Sequence, residues 1–181
     1  MFISPVTVKH IERYHLAGEL IPEGSRVLDA ACGSGYGSAF LNDCDYFGLD
    51  LDKTALEYGR RHYSGSFHKI PIQQATELGL FDAIISFETL EHLDDPTTGL
   101  KALLDALKPN GIMILSFPLN HPDTIYHRTV YSPAKVEELL TQCIGDRTFQ
   151  RKYYYQPKLK IETLDHMLEE SAEVTMTVVL G

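Results

Sequence analysis

Apolar and polar positions change period repeatedly along the 181-residue chain, and each change marks an element. Val8, Ile11, Leu16 and Leu20 give a partly helical spacing. Ser4-Pro5 supplies a capping residue and a first-turn proline before it, and Ile21-Pro22-Glu23-Gly24 ends it. Val27-Leu28 is a short apolar run that closes in Asp29. Glycines then recur at every second position, Gly33, Gly35 and Gly37, before Ser38-Ala39-Phe40-Leu41 opens a short helical pattern that stops near Asn42-Asp43. Residues 46–50 read as a second strand ending in an acid, and Asp52 as the N-cap of a helix over 53–62. A third strand falls within 67–73. Residues 81–86 are short and apolar, as in a strand covered on both faces.

Beyond that strand, Leu100, Leu103, Leu104 and Leu107 stripe a helix over 96–108. Lys108-Pro109-Asn110-Gly111 is a turn, and residues 112–117 a fifth strand. Residues 119–132 form a polar, aromatic loop before a helix opened by Ser132-Pro133. Residues 147–155 and 174–180 alternate like two strands, with 157–170 a loop or helix between them. Strands alternating with helices predict an α/β fold. Loops at the C-terminal ends of the strands are then the places to look for ligands.

The glycine-rich segment is the most informative. Glycine accepts positive φ and lets a ligand approach the backbone, and the helix start behind the turn offers free N–H groups. The dinucleotide fingerprint is G-x-G-x-x-G, whereas here the third glycine comes one residue early. Asp29 precedes the first glycine by four residues, where a carboxylate repels a pyrophosphate and attracts a cation. An NAD-dependent oxidoreductase is disfavoured on both counts.

The string Val27-Leu28-Asp29-Ala30-Ala31-Cys32-Gly33-Ser34-Gly35-Tyr36-Gly37 resembles motif I of the class I S-adenosylmethionine (SAM) methyltransferases. Tyr46-Phe47-Gly48-Leu49-Asp50-Leu51-Asp52 resembles motif II of that family, and residues 107–118 its post-motif stretch. The resemblance covers nearly the whole chain. It implies one methyltransferase domain over 1–181, with residues 1–24 as a helical flap and 25–181 as the core. The fold it implies is Rossmann-like: seven strands, mostly parallel, helices on both faces, and an antiparallel seventh strand between the fifth and sixth. It also implies SAM as cofactor. Asp29 and Ala30 would meet its methionine end, with Gly33 and Gly35 giving backbone access. Asp50 would hold the ribose hydroxyls, and Leu51 would pack on adenine. Gln74 and Ala75 stand where relatives carry an acid beside the adenine amino group. Ser86 ends the strand under the sulfonium, and Tyr14 belongs to the flap.

Composition narrows the partners. Net charge is −9, and no run of Lys and Arg exceeds a pair, with Lys158 and Lys160 another such small group, which disfavours a nucleic-acid partner. No apolar run reaches membrane-spanning length, and Met1-Phe2-Ile3-Ser4-Pro5 lacks the charged leader and apolar block of a signal peptide. Cys32, Cys44 and Cys143 show no C-x-x-C spacing. A reduced, cytoplasmic protein acting on a small-molecule acceptor is the expectation, with oligomeric state unassigned.

For catalysis, a neutral acceptor must lose a proton, so histidines are the first candidates. His121 and His127 lie in the loop that resembles an H-x-R-x-x-[YF]-S-P signature, although here His127 directly precedes Arg128, and the resemblance implies that Arg128 and Tyr131 would also face the acceptor. Glu88 and His92 belong to Glu88-Thr89-Leu90-Glu91-His92. If that segment were helical, Glu88 would share a face with Glu91 and His92, a set able to hold a divalent ion. The same letters occur in the ubiquinone-pathway O-methyltransferases and the small-RNA 2′-O-methyltransferases. Metal-free relatives carry them too, so no metal ligand is assigned. Two further readings stay open: a non-catalytic SAM-binding module, and a metal-assisted RNA 2′-O-methyltransferase.

Overall fold

Neighbouring residues on the central strands are buried on opposite sides. Val27, Ala83, Ile85 and Ile114 pack into one apolar cluster, whereas Leu28, Ile84, Met113 and Leu115 pack into another. A strand with both faces covered needs helices above and below the sheet. The computed structural model, which describes residues 5–121, 126–163 and 174–181, supplies them. Helices α1 (Pro5–Leu20) and α2 (Lys53–His62) cover one face, placing Tyr14, Ala17 and Leu56 in its core. Helices α3 (Pro96–Ala106) and α4 (Pro133–Ile144) cover the other with Leu100, Leu103, Leu104, Val136 and Leu140. Each such leucine contributes about 1.5–3 kcal/mol by leaving water. The expected caps form: Asp52 accepts from the N–H groups of Thr54 and Ala55, and Ser132 from that of Lys135. The proposed Ser4 cap of α1 lies outside the described residues.

The strands are β1 (Arg26–Ala30), β2 (Asp45–Leu49), β3 (Ser66–His68), β4 (Phe81–Phe87), β5 (Leu107–Leu119), β6 (Arg151–Gln156), β7 (Glu162–Thr163) and β8 (Val174–Leu180). They form one sheet in the order β3-β2-β1-β4-β5-β8-β6-β7. The first five are parallel, and the C-terminal strand runs antiparallel between β5 and β6. Three details differ from the sequence reading. The two-residue β7 pairs with Tyr154 and Tyr155, giving eight strands instead of seven. After the glycines there is a single 3-10 segment, Tyr36–Phe40, rather than an α-helix. The turn expected at 108–111 is absorbed into β5, with Asn110 at φ 64° and a register shift against β4.

Strand β1 is bordered by β2 on one side and β4 on the other. The chain leaves the C-terminal ends of β1 and β4 in opposite directions, which opens a crevice there, the usual ligand position in such sheets. No helix among the described residues is long and apolar enough to cross a membrane.

Candidate functional site

At the end of β1 the backbone takes left-handed conformations at Ala31 (φ 66°), Gly33 (φ 56°) and Gly35 (φ 75°). Gly35 must be glycine for a second reason: a Cβ there would sit 2.1 Å from Cε1 of Phe67. A Cβ on Gly33 would meet nothing within 4 Å, so this glycine borders open space. Its N–H donates to Oδ2 of Asp50 at 2.8 Å, and the N–H of Asp52 donates to Oδ1 at 2.8 Å. The ends of β1 and β2 are thereby tied together by one carboxylate.

Two cavities, of about 320 and 280 Å³, adjoin this turn. The larger is walled by Asp50, Leu51, Gln73, Phe87, Glu88 and His92 among others. The smaller is walled by Tyr14, Cys32, Gly33 and Tyr36. His10, Ala31 and Phe87 line both, so the two form one continuous cleft.

Asp29 lies beneath the cleft floor, 1% exposed, accepting hydrogen bonds on Oδ2 from Tyr14 (2.9 Å) and Tyr46 (2.7 Å). Burial raises its pKa to about 6 against the help of both phenols. The folded chain therefore holds a proton that the unfolded chain has released, and this group's contribution to stability falls as pH rises from about 4 to about 6. Asp29→Asn keeps the acceptor oxygen and removes the titration. Its stability relative to the parent chain should rise by about 2–3 kcal/mol between pH 4 and pH 7.5 in paired denaturant titrations. A difference that does not vary with pH would show that Asp29 is not buried as described. A carboxylate retained at such a position, next to an open cleft, fits a site that receives a cation.

Glu88 also has a left-handed backbone (φ 47°) just past the end of β4. Its N–H donates to the carbonyl of Ser116 at 3.1 Å, and its carboxylate turns toward α1. There Oε2 meets His10 Nε2 at 3.0 Å, and Oε1 accepts from Arg13 at 2.9 Å and Thr175 at 3.3 Å. Burial alone would raise its pKa, but the His10 hydrogen bond and the Arg13 charge outweigh that and hold it at about 2. Arg13 is itself fully buried and also donates to Gln156 at 2.7 Å. Non-glycine residues with positive φ cost about 1–3 kcal/mol each, and both Ala31 and Glu88 border the cleft, as strained residues at functional sites often do. In the sequence Arg13 is only a charge within the helical flap, and His10 and Gln156 carry no signal of a role. Their partners lie 75 to 147 residues away, so no local pattern marks them.

The helical grouping of Glu88 with Glu91 and His92 is not formed. Only Leu90–His92 make a 3-10 turn, and the positive φ of Glu88 turns its side chain away. A different set gathers: ligand atoms of Glu91, His92 and His127 lie within 4.8 Å of one another. Glu91 is 1% exposed, and neither carboxylate oxygen has a hydrogen-bond partner among the described residues. Burial, aided by the charge of Glu88, raises its pKa to about 8. His92 Nδ1 contacts the carbonyl of Tyr126 at 2.8 Å, which leaves the Nε2 lone pair facing Glu91 at 3.9 Å. An orphaned buried carboxylate beside an oriented imidazole fits a divalent cation, with His127 as third donor.

Other expected residues sit elsewhere. Gln74 is exposed, because β3 ends at His68 and the 3-10 segment Ile72–Leu78 buries Ile72 and Ala75 instead; Gln73 reaches the cleft. Strand alternation buries Ala30 and Ser86 in the sheet, and Ala31 and Phe87 replace them on the cleft wall. His121 is exposed and lines neither cavity. Arg128 is exposed and paired with Asp94, and Tyr131 is buried against Phe117, so neither faces the cleft. Residues 122–125 of that loop, Asp123 included, lie outside the described residues.

A parallel sheet with a cleft at its reversal point, a glycine turn and an acid ending the second strand defines a cofactor-binding α/β protein of the nucleoside type. The family of methyltransferase domains matches residues 7–170, and this chain belongs to it, as a class I SAM-dependent methyltransferase. A ubiquinone biosynthesis O-methyltransferase of Marinobacter nauticus is 27% identical over 95% of this chain and 71% of its own length. One of Bordetella avium is 33% identical over 63% of this chain and 49% of its own. A SAM-dependent methyltransferase structure from Thermotoga maritima superposes with a TM-score of 0.70 at 18% identity, covering 94% of this chain and 87% of that one. The chain thus spans about half to seven tenths of the length of those two curated relatives.

Proposed function

We propose that this chain transfers the SAM methyl group to a hydroxyl oxygen of a small, catechol-like acceptor. The observation that carries the reading is the continuity of the two cavities through His10, Ala31 and Phe87. A cofactor with its adenosine at Asp50 and Leu51 and its methionine end at Gly33 and Tyr36 has its sulfonium at that junction. The methyl then faces the wall formed by Glu88 and His92. The sulfonium is already a good leaving group, so the protein's task is alignment of oxygen, carbon and sulfur. Helix α1 carries Tyr14 and His10 into the cleft wall and, in this reading, is the flap that closes it. The names of the curated relatives support O-methylation, and the net charge of −9 supports a small acceptor over RNA.

A second reading rests on the orphaned Glu91 carboxylate. Glu91, His92 and His127 would hold a divalent cation. Such an ion would bind an acceptor's adjacent oxygens and lower their pKa. One experiment separates the readings: SAM and 3,4-dihydroxybenzoate with the chain, followed by mass spectrometry of the methoxy product, in buffer, in EDTA, and after Mg²⁺ add-back. Turnover unchanged in EDTA supports metal-free transfer. Loss in EDTA with recovery on add-back supports the ion. Retention of cofactor with no product in any arm contradicts both and leaves a binding module.

A further inference from the structure

We infer that His10 is the base that takes the acceptor's proton, with Glu88 positioning its ring; this rests on the acceptor being a hydroxyl. Three residues line both cavities, and of these His10 alone has a side chain that can accept a proton. It therefore stands where the methyl group and the attacking oxygen meet. Its Nε2 lies 3.0 Å from the Glu88 carboxylate, which Arg13 and Thr175 hold from other sides. An anionic carboxylate at that distance fixes the tautomer with hydrogen on Nε2 and the lone pair on Nδ1.

The geometry then gives a balanced step. The acceptor O–H proton passes to Nδ1 of His10 as the oxygen forms its bond to the methyl carbon. The carbon–sulfur bond breaks, its electron pair stays on sulfur, and neutral S-adenosylhomocysteine results. The imidazolium is neutralised by Glu88 and returns its proton to solvent on product release. The groups facing His10 are Glu88 past β4, Asp29 below the floor, Asp50 at the end of β2, Tyr14 and Arg13 on α1, Tyr36 after the glycine turn, and His92. Arg13 is already engaged by Glu88 and Gln156. A mere tether of α1 needs neither a cleft-facing ring nor a strained Glu88 backbone.

His10→Gln tests this, because the amide can still donate to Glu88 but cannot take a proton. Two acceptors are compared: 3,4-dihydroxybenzoate, whose hydroxyls are protonated at neutral pH, and 4-nitrocatechol, which is largely ionised. The expected result is a kcat loss of about 10²–10⁴-fold with the first and less than about tenfold with the second. The acidic limb of the kcat–pH profile should vanish with the first acceptor. S-adenosylhomocysteine affinity by calorimetry should stay within about threefold, and free imidazole should restore turnover to His10→Ala. Equal losses with both acceptors, or unchanged kcat with the first, would overturn the assignment. A parent chain that binds S-adenosylhomocysteine and methylates neither acceptor would instead overturn the hydroxyl reading, and the role of His10 with it.

Discussion

Asp50→Ala is expected to weaken S-adenosylhomocysteine binding about a hundredfold. The proposed role is acceptance of hydrogen bonds from both ribose hydroxyls at the end of β2. Charge-assisted bonds of this kind contribute about 1.5–3 kcal/mol each, and the replacement loses two while gaining water. The net loss is about 2–4 kcal/mol, which brackets two decades of affinity. The substitution also frees the N–H groups of Gly33 and Asp52, which now donate to this carboxylate. Asp50→Asn separates the contributions, because its amide oxygen can still accept from Gly33 but not from every donor at once. Calorimetry should place the Asn chain between the parent and the Ala chain. Unchanged affinity in the Ala chain would remove Asp50 from the cofactor site.

The second large effect is on stability. Arg13 is a fully buried cation joined to Glu88 and Gln156, and with His10 it couples α1 to the ends of β4 and β6. Removing one member of a buried pair typically costs about 3–5 kcal/mol, because the other charge is left without compensation. Here Glu88 keeps His10 and Thr175 and remains a quarter exposed on its side chain, which moderates the loss. Arg13→Met should therefore lose about 2–4 kcal/mol, lowering Tm by about 10 °C in a chain of this size. Combining it with Glu88→Gln should recover part of the loss, since the stranded charge is gone. A Tm within about 2 °C of the parent, no more than about 1 kcal/mol would shift it, would mean that the pair does not hold α1 in place.

The glycine turn and the acids around it were legible because their signals are contiguous. Glycine spacing, the acid before it and the acid ending the next strand each follow from a few adjacent residues. The α/β class followed from the alternation of strands with helical stripes, and the antiparallel strand between the fifth and sixth from the family resemblance. What was not legible depends on chain returns over long separations. His10, Arg13 and Gln156 look like ordinary surface residues in one dimension; His10 and Arg13 meet Glu88, and Arg13 meets Gln156, only because α1 folds back over the ends of β4 and β6. The grouping at 88–92 was conditional on a helix, and that condition fails for a local reason: the positive φ of Glu88 keeps it out of the turn that follows. Gln73 replaced Gln74 because β3 stops early and a 3-10 segment has a different facing from a strand. The left-handed turn after β1 put Ala31, and alternation within β4 put Phe87, on the cleft wall in place of Ala30 and Ser86.

The crevice between β1 and β4 is proposed to hold the cofactor, with its reacting centre at His10, Ala31 and Phe87. A crystal structure of the chain with S-adenosylhomocysteine tests it directly. The predicted result has both ribose hydroxyls within hydrogen-bond distance of Asp50, adenine against Leu51 and Gln73, and sulfur beside Phe87 with His10 across from it. Ribose remote from Asp50, or sulfur turned away from the junction of the two cavities, would contradict it.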